Sequence, residues 1–277
     1  MSMSRNADSA AQYSHGHQPS VLASHATRTA ANSCAYFLDR VRPGVRLLDL
    51  GCGPGSITLD LAERVGHVGY VLGIDSAAAA IEAATATAAQ RGDQRTRFAV
   101  GDLSDLNVEP GSFDIVHAHQ VLQHVPDPVA ALKAMARYCA PGGIIAVRDA
   151  DYGAMAWYPP SDGLQRWHTI YCTGARNAGA EPDAGRRLRA WAQDAGLRVA
   201  SATSSTWTYA TTDSTRWWGN SQAERVRNST FTRRAADLGL TAEQIEQIAV
   251  SWQEWGQDPQ AWFFLPHGEL LASPSSA

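Results

Sequence analysis

The stretch Leu47-Leu48-Asp49-Leu50-Gly51-Cys52-Gly53-Pro54-Gly55 holds the strongest chemical signal in the chain. An apolar run ends in alternating glycines, the composition of a tight strand-to-helix turn whose backbone lets a ligand approach closely. Asp75 stands 24 residues beyond Gly51, at the end of a second apolar run. A carboxylate there can accept hydrogen bonds from both hydroxyls of a ribose. Gly101-Asp102 ends a third run and sets a second carboxylate where an adenine amino group could be bound. These signals fit a dinucleotide or another adenosine ligand. The nicotinamide fingerprint needs glycine three residues after the second one. Position 56 is Ser, with Gly at 55, so the spacing is GxGxG rather than GxGxxG.

Other reactive side chains gather further along. His117, His119 and His124 surround the end of a fourth apolar run, and His15, His17 and His25 lie near the N-terminus. His117 and His119 share a strand face, so the pair could in principle grip a metal. Local hydrogen bonding is the commoner use of a strand histidine, and no metal site is expected. Arg148-Asp149-Ala150-Asp151-Tyr152 follows a fifth run, at the sheet edge where pockets of α/β folds open. Asp149 or Tyr152 could orient or deprotonate a substrate there. Alternatively, Asp149 pairs with Arg148 or caps a helix.

The elements that must position these groups alternate regularly. Strands are expected at Val45–Leu50, Tyr70–Asp75, Arg97–Asp102, Phe113–His119 and Ile144–Arg148. Helices are expected at Ser56–Val65 and Ala77–Gln90, with a third opening at Asp127-Pro128 and stopping at Pro141-Gly142-Gly143. This alternation means a parallel sheet with right-handed crossovers. A mostly helical segment, Tyr13 to Val41, precedes it. Beyond Asp151 the texture changes, and all nine tryptophans fall between Trp157 and Trp262. A helix from Asp183 to Gly196, strands at Arg198–Ala210 and Ala261–Ala272, and a capping box at Thr241-Ala242-Glu243-Gln244 are expected here. Trp191, Trp252 and Trp255 follow helical core stripes. Trp157, Trp167, Trp207, Trp217 and Trp218 could wall an aromatic or hydrophobic substrate pocket, or hold a cation over their rings. The expected organisation is a helical lid (1–40), a ligand-binding core (41–150), and cap helices with the last two strands completing the same domain (151–277).

Composition bounds the function. The 277 residues are 44% hydrophobic and only 18% charged, which excludes a disordered polyelectrolyte. A net charge of −4 and a single lysine, Lys133, lend no support to nucleic-acid binding. Four widely spaced cysteines suit reduced thiols, and neither a signal peptide nor a membrane span is apparent, so a cytoplasmic protein is expected. Tryptophans exposed on the cap would hint at a homodimer.

Together, LDLGCGPG, GID, GD, FDIVHAHQVLQHVPDP and PGG, in this order from Leu47 to about Val147, resemble the class I S-adenosylmethionine (SAM)-dependent methyltransferases. The nearest branch is the ubiquinone/menaquinone-biosynthesis-like one that acts on small molecules. The resemblance implies a Rossmann-like, doubly wound, seven-stranded, mostly parallel sheet with a helical N-terminal lid and helical cap insertions. It also implies that Gly51, Cys52, Gly53 and Gly55 cradle the methionine part of SAM while Asp49 supports the loop. Asp75, with Ser76 beside it, would hold the ribose; Gly101 and Asp102 would meet the adenine amino group, and Leu103 would pack on the adenine. His119 and Gln120 would line the sulfonium side, Tyr13 and His15 would belong to the lid, and Arg28 could meet the SAM carboxylate. The implied reaction is in-line methyl transfer to a small-molecule acceptor, such as a secondary metabolite, leaving S-adenosylhomocysteine (SAH), with His119, Asp149 and Tyr152 as candidates for the chemistry. The acceptor atom is open among O, N and C. The alternatives are a protein of this fold that uses SAM for another reaction, such as a cyclisation, and a non-enzymatic binding module.

Overall fold

The computed structural model describes residues 28–275 except 104 and 229. One mixed sheet forms the centre. Its strands are β1 (Arg46–Leu50), β2 (Tyr70–Asp75), β3 (Arg97–Val100), β4 (Phe113–His119), β5 (Cys139–Ala150), β6 (Ala156–Tyr158), β7 (Leu197–Tyr209) and β8 (Trp262–Pro274). The order is β3-β2-β1-β4-β5-β8-β6, with β7 on the other edge of β8. Strands β1 to β5 pair in parallel, and β8 runs antiparallel to its three neighbours. The eighth strand, beyond the expected seven, is the three-residue β6. It pairs with Trp262–Phe264 on the edge of β8 that β5 leaves after His267.

The strands are buried on both faces because helices cover both. Leu48, Val116 and Val147 join one apolar cluster with α4 (Pro128–Tyr138) and α6 (Ala184–Asp194). Their neighbours Leu47, Ile115 and Ala146 join another with α1 (Ala30–Ser33) and α2 (Ser56–Val65). This period of two is the pleat expressed in sequence. Helix α3 (Ala78–Gln90) follows β2.

Local capping fixes the helix starts. Asp127 accepts the Ala130 N–H at 2.8 Å with Pro128 at the first helical position. Helix α4 ends at Tyr138, earlier than expected, because β5 already begins at Cys139. Pro141-Gly142-Gly143 instead lies in an irregularity of β5, where pairing jumps from Phe113↔Cys139 to Ile115↔Ile144. The N-terminal helical segment, so far as described, breaks at Cys34 into α1 and a 3-10 turn, Ala35–Arg40.

A third cluster forms the cap from α5 (Asp162–Asn177), α7 (Thr212–Asn228), α8 (Thr230–Asp237) and α9 (Ala242–Gln257) against β8. The capping box at Thr241 and Gln244 starts α9. Trp167, Trp218, Trp252 and Trp255 are all buried in this cluster, so these four of the nine tryptophans serve packing. Helices α7 and α9 touch through Gly219, where a Cβ would stand 2.5 Å from the Trp252 carbonyl oxygen and 2.9 Å from Gly256 Cα. Alanine at 219 would gain about 1 kcal/mol of helix propensity. Overpacking against backbone costs about 1–3 kcal/mol. Gly219→Ala is therefore expected to lower stability by up to about 2 kcal/mol in urea unfolding, and a stabilised variant would show that the helices are not in contact there.

Candidate functional site

A cavity of about 490 Å³ opens at the carboxyl ends of β1, β2, β3 and β4. Of the residues singled out in the sequence, Arg28, Asp49, Gly51, Cys52, Gly53, Asp75, Ser76, Gly101, Asp102, Leu103, His119 and Gln120 line it, as does His124. Gly55, Asp149 and Tyr152 do not. Tyr13 and His15 lie outside the described residues.

The glycine loop is shaped by side chains from neighbouring elements. Gly51 has φ +68°, and a Cβ there would lie 2.4 Å from Val121 Cγ2, so only glycine leaves the cavity floor open. Asp75 pins the loop from below, its Oδ2 accepting the Gly53 N–H and its Oδ1 the Ala77 N–H, both at 3.0 Å. A carboxylate offers about four acceptor positions, so about two remain for a ligand. Asp49 turns away, accepting from Thr58 Oγ1 at 2.6 Å and meeting His117 Nδ1 at 2.7 Å. Burial, then Asp49 and Asp75, push the Cys52 thiol up, so it stays protonated. Gly55 leaves room for its neighbours, because a Cβ there would meet Phe98 at 2.9 Å and Ala84 at 3.0 Å.

The far wall is made by the turn after β4. Gln120 is the sole non-glycine with positive φ among the described residues, at +55°. Its N–H donates to Arg148 O at 2.7 Å, and its amide nitrogen lies 2.7 Å from His267 Nε2. Strain of this kind persists where the surroundings fix it, and it concentrates at functional sites. Beside it, His119 is buried, and neither ring nitrogen has a hydrogen-bond partner. Burial first, then Arg148 and Arg28, hold its pKa well below the usual histidine range, so the imidazole is neutral. Trp207 stands 5.7 Å away, with the Arg28 guanidinium 5.3 Å from its ring centre and that of Arg148 at 5.1 Å. Trp207, one of the tryptophans expected to wall a pocket, and His267 pack against His119 from β7 and β8, and no local motif announces His267.

Among the described residues, His117, His119 and His124 do not come together as a metal site. Both nitrogens of His117 are engaged, by Asp49 and by Cys34 Sγ at 3.6 Å. Among the described residues no group of three His, Cys, Asp or Glu is placed to hold a metal ion. Asp149 is fully buried, and its Oδ1 accepts the Gln123 N–H at 3.1 Å, which caps the turn Leu122–His124. Arg148 pairs instead with Glu269, at 3.4 Å. Tyr152 lines a separate cavity in the cap, its ring 4.3 Å from that of Tyr171.

Burial pushes the Asp149 carboxyl up to about 7, against an ordinary value near 3.8. The folded protein thus binds this proton more tightly than the unfolded chain does. That contribution to stability is complete below about pH 4 and is lost as the pH rises through about 7. Asp149→Asn removes the titration. Its stability relative to the parent is expected to rise between about pH 4 and 7, by up to about 1.4 kcal/mol per pH unit in urea unfolding. A difference independent of pH would mean that Asp149 is ionised in the folded state.

Residues 42–208 match the family model described as a methyltransferase domain. An uncharacterized methyltransferase of Schizosaccharomyces pombe is 30% identical over 271 residues, covering 94% of this chain and 95% of that protein. Among solved structures, the cyclase SpnF superposes with a TM-score of 0.53 at 22% identity, covering 93% of this chain and 82% of that one. Geranyl diphosphate methyltransferase, solved with geranyl diphosphate and sinefungin, gives a TM-score of 0.52 at 19% identity, covering 87% and 77%. At these identities the two structures speak to the fold alone. The family match and the near full-length relative go further: the chain belongs to the methyltransferase-domain family and is a class I SAM-dependent methyltransferase.

Proposed function

We propose that the protein transfers the methyl group of SAM to a small-molecule acceptor by in-line displacement in the cavity at the ends of β1 to β4. The observation that carries this reading is the grouping of Gly51, Asp75, Asp102 and the unpartnered His119 around one cavity. The residues fit the cofactor chemically. Gly51 and Gly53 would admit its methionine part, with Cys52 lining the loop, and the Arg28 guanidinium, which also lines the cavity, would meet its carboxylate. Asp75, beside Ser76, would take the ribose hydroxyls. Asp102, after Gly101, would take the adenine amino group, and Leu103 would face the ring. Bound SAM supplies a methyl group already activated on a cationic sulfur, so the protein has to align the acceptor and exclude water.

His119 and Gln120 would border the reacting atoms. A neutral imidazole with an unused lone pair can take a proton from a hydroxyl or an acidic carbon as methyl transfer proceeds, whereas an amine acceptor needs only positioning. In this reading Asp149 and Tyr152 act at a distance from the methyl group, Asp149 by fixing the turn that carries His124. An apolar or aromatic acceptor is supported by the aromatic cap. Trp217 and Trp262, 38% and 40% exposed, support a homodimer, and four buried free cysteines suit a cytoplasmic protein. No described helix is long and apolar enough to cross a membrane. Methyl transfer is tested by incubating the protein with SAM and candidate acceptors and following SAH and methylated product by mass spectrometry. The likeness to a cyclase in fold makes SAH formation the deciding readout, because a cyclisation would convert the acceptor and leave SAM intact.

Asp75→Ala removes the ribose acceptor and the Gly53 anchor together, and SAM affinity measured by calorimetry is expected to fall about tenfold or more. Unchanged affinity would place the ribose elsewhere. His119→Ala is expected to lower turnover of a hydroxyl or carbon acceptor by about 10²-fold or more while SAM affinity stays within about threefold. Normal turnover with such an acceptor would remove His119 from the chemistry.

A further inference from the structure

His267 of β8 is fully buried and does not line the cavity at the ends of β1 to β4, yet its ring stands against two residues that do. His119 stacks on it with ring centres 6.2 Å apart, and the side-chain amide nitrogen of Gln120 lies 2.7 Å from its Nε2. The other ring nitrogen, Nδ1, lies 3.0 Å from the Leu265 carbonyl oxygen. Trp207 packs on the same ring at 4.4 Å between centres.

These contacts fix where the protons lie. A carbonyl oxygen only accepts, so Nδ1 carries the hydrogen and donates it to Leu265. Burial first, then the charges of Arg148 and Arg28, hold the His267 pKa well below the usual histidine range, so the ring is neutral. A neutral imidazole has a single N–H, which leaves Nε2 with a lone pair that can only accept. Only the NH2 end of the Gln120 amide can meet it. The Gln120 carbonyl oxygen is thereby turned away from His267, and among the described residues no group hydrogen-bonds to it. Nor is it one of the buried polar atoms sealed off without a partner. Its open side is the cavity that Gln120 lines. The backbone of Gln120 is pinned as well, by its positive φ and its bond to Arg148 O.

We propose that His267 is a positioning residue, which holds Gln120 by its NH2 end so that the amide carbonyl oxygen faces the cavity and favours a cationic sulfur there over a neutral one. The proposal rests on the methyl-transfer reading for the identity of the ligand. An amide oxygen is the negative end of the side-chain dipole, and inside low-dielectric walls such a dipole favours a cation. With the amide reversed, its hydrogens would face the same cation and oppose it. SAM carries a positive charge that SAH lacks, so a fixed carbonyl holds the reactant more firmly than the product and eases product release.

The test is calorimetry of the full chain with SAM and with SAH. His267→Phe keeps a ring for His119 and Trp207 but removes the acceptor for Gln120. It is expected to weaken SAM binding about fivefold or more while SAH affinity stays within about twofold. Gln120→Leu should show the same selective loss, and adding His267→Phe to it should change nothing further, as for a residue acting through Gln120. His267→Gln offers an amide oxygen that can accept from Gln120 and should restore most of the lost SAM affinity. Isotope-edited NMR of the ring nitrogens should show His267 neutral and protonated on Nδ1. Equal losses of SAM and SAH, unchanged affinities, additive losses in the double variant, or a ring protonated on Nε2 would overturn the proposal. Should His267→Phe fail to fold, Gln120→Leu and the NMR signal decide it. Binding of neither ligand to the unaltered chain would overturn the methyl-transfer reading and this proposal with it, whereas binding of both without selective loss in the variants would overturn the role of His267 alone.

Discussion

An imidazolium and a carboxylate buried at the same level of two adjacent strands hold the floor of the site. Asp49 of β1 and His117 of β4 are register partners, and their side chains meet at 2.7 Å. Burial alone would strip the proton from His117, but Cys34 and Asp49 outweigh it and push its pKa up to about 10. The second oxygen of Asp49 holds Thr58 of α2, and Cys34 belongs to the segment that covers the sheet from the N-terminal side. One pair thus ties together two strands, the helix that follows the glycine loop and the covering segment. Removing one partner of such a pair leaves a buried charge uncompensated, typically at a cost of about 3–5 kcal/mol. Gly51 begins its turn two residues after Asp49, so the loop inherits its position from this contact.

Charged side chains line two separate regions of the molecule. The cavity at the ends of β1 to β4 is lined by Asp75 and Asp102, and by Arg28 and His124. The cap presents arginines among aromatic rings. Between the two regions runs the turn from His119 to His124, held by the Gln120 bond to Arg148 O and by the Asp149 cap on Gln123. The left-handed conformation of Gln120 is the backbone cost of turning the chain sharply enough for His119 to face the cavity.

What could be read from the sequence is what depends on neighbours along the chain. The strand-turn-helix spacing around Gly51, the carboxylate at the end of β2, the proline start of α4 and the capping box of α9 are local, and each stands where its residues indicate. What could not be read depends on distant partners. Gly55 looks like part of the ligand loop, but its missing Cβ makes room for Phe98 of β3. Asp149 sits at the carboxyl edge as expected, but its environment comes from Gln123 and the turn above it. Pro141-Gly142-Gly143 has the composition of a helix stop, and only the pairing with β4 turns it into an irregularity within a strand. His267 packs against His119 because β8 pairs with β7 along its length, and the cap chamber needs three helices that have no sequence motif in common.

The most direct measurement is a crystal structure of the protein grown with SAH. The expected result is the adenosyl ligand in the 490 Å³ cavity, its ribose hydroxyls on Asp75, its adenine amino group near Asp102 and its sulfur facing His119. Density for the ligand in the cap chamber, or a ribose away from Asp75, would contradict the placement on which the methyl-transfer reading depends.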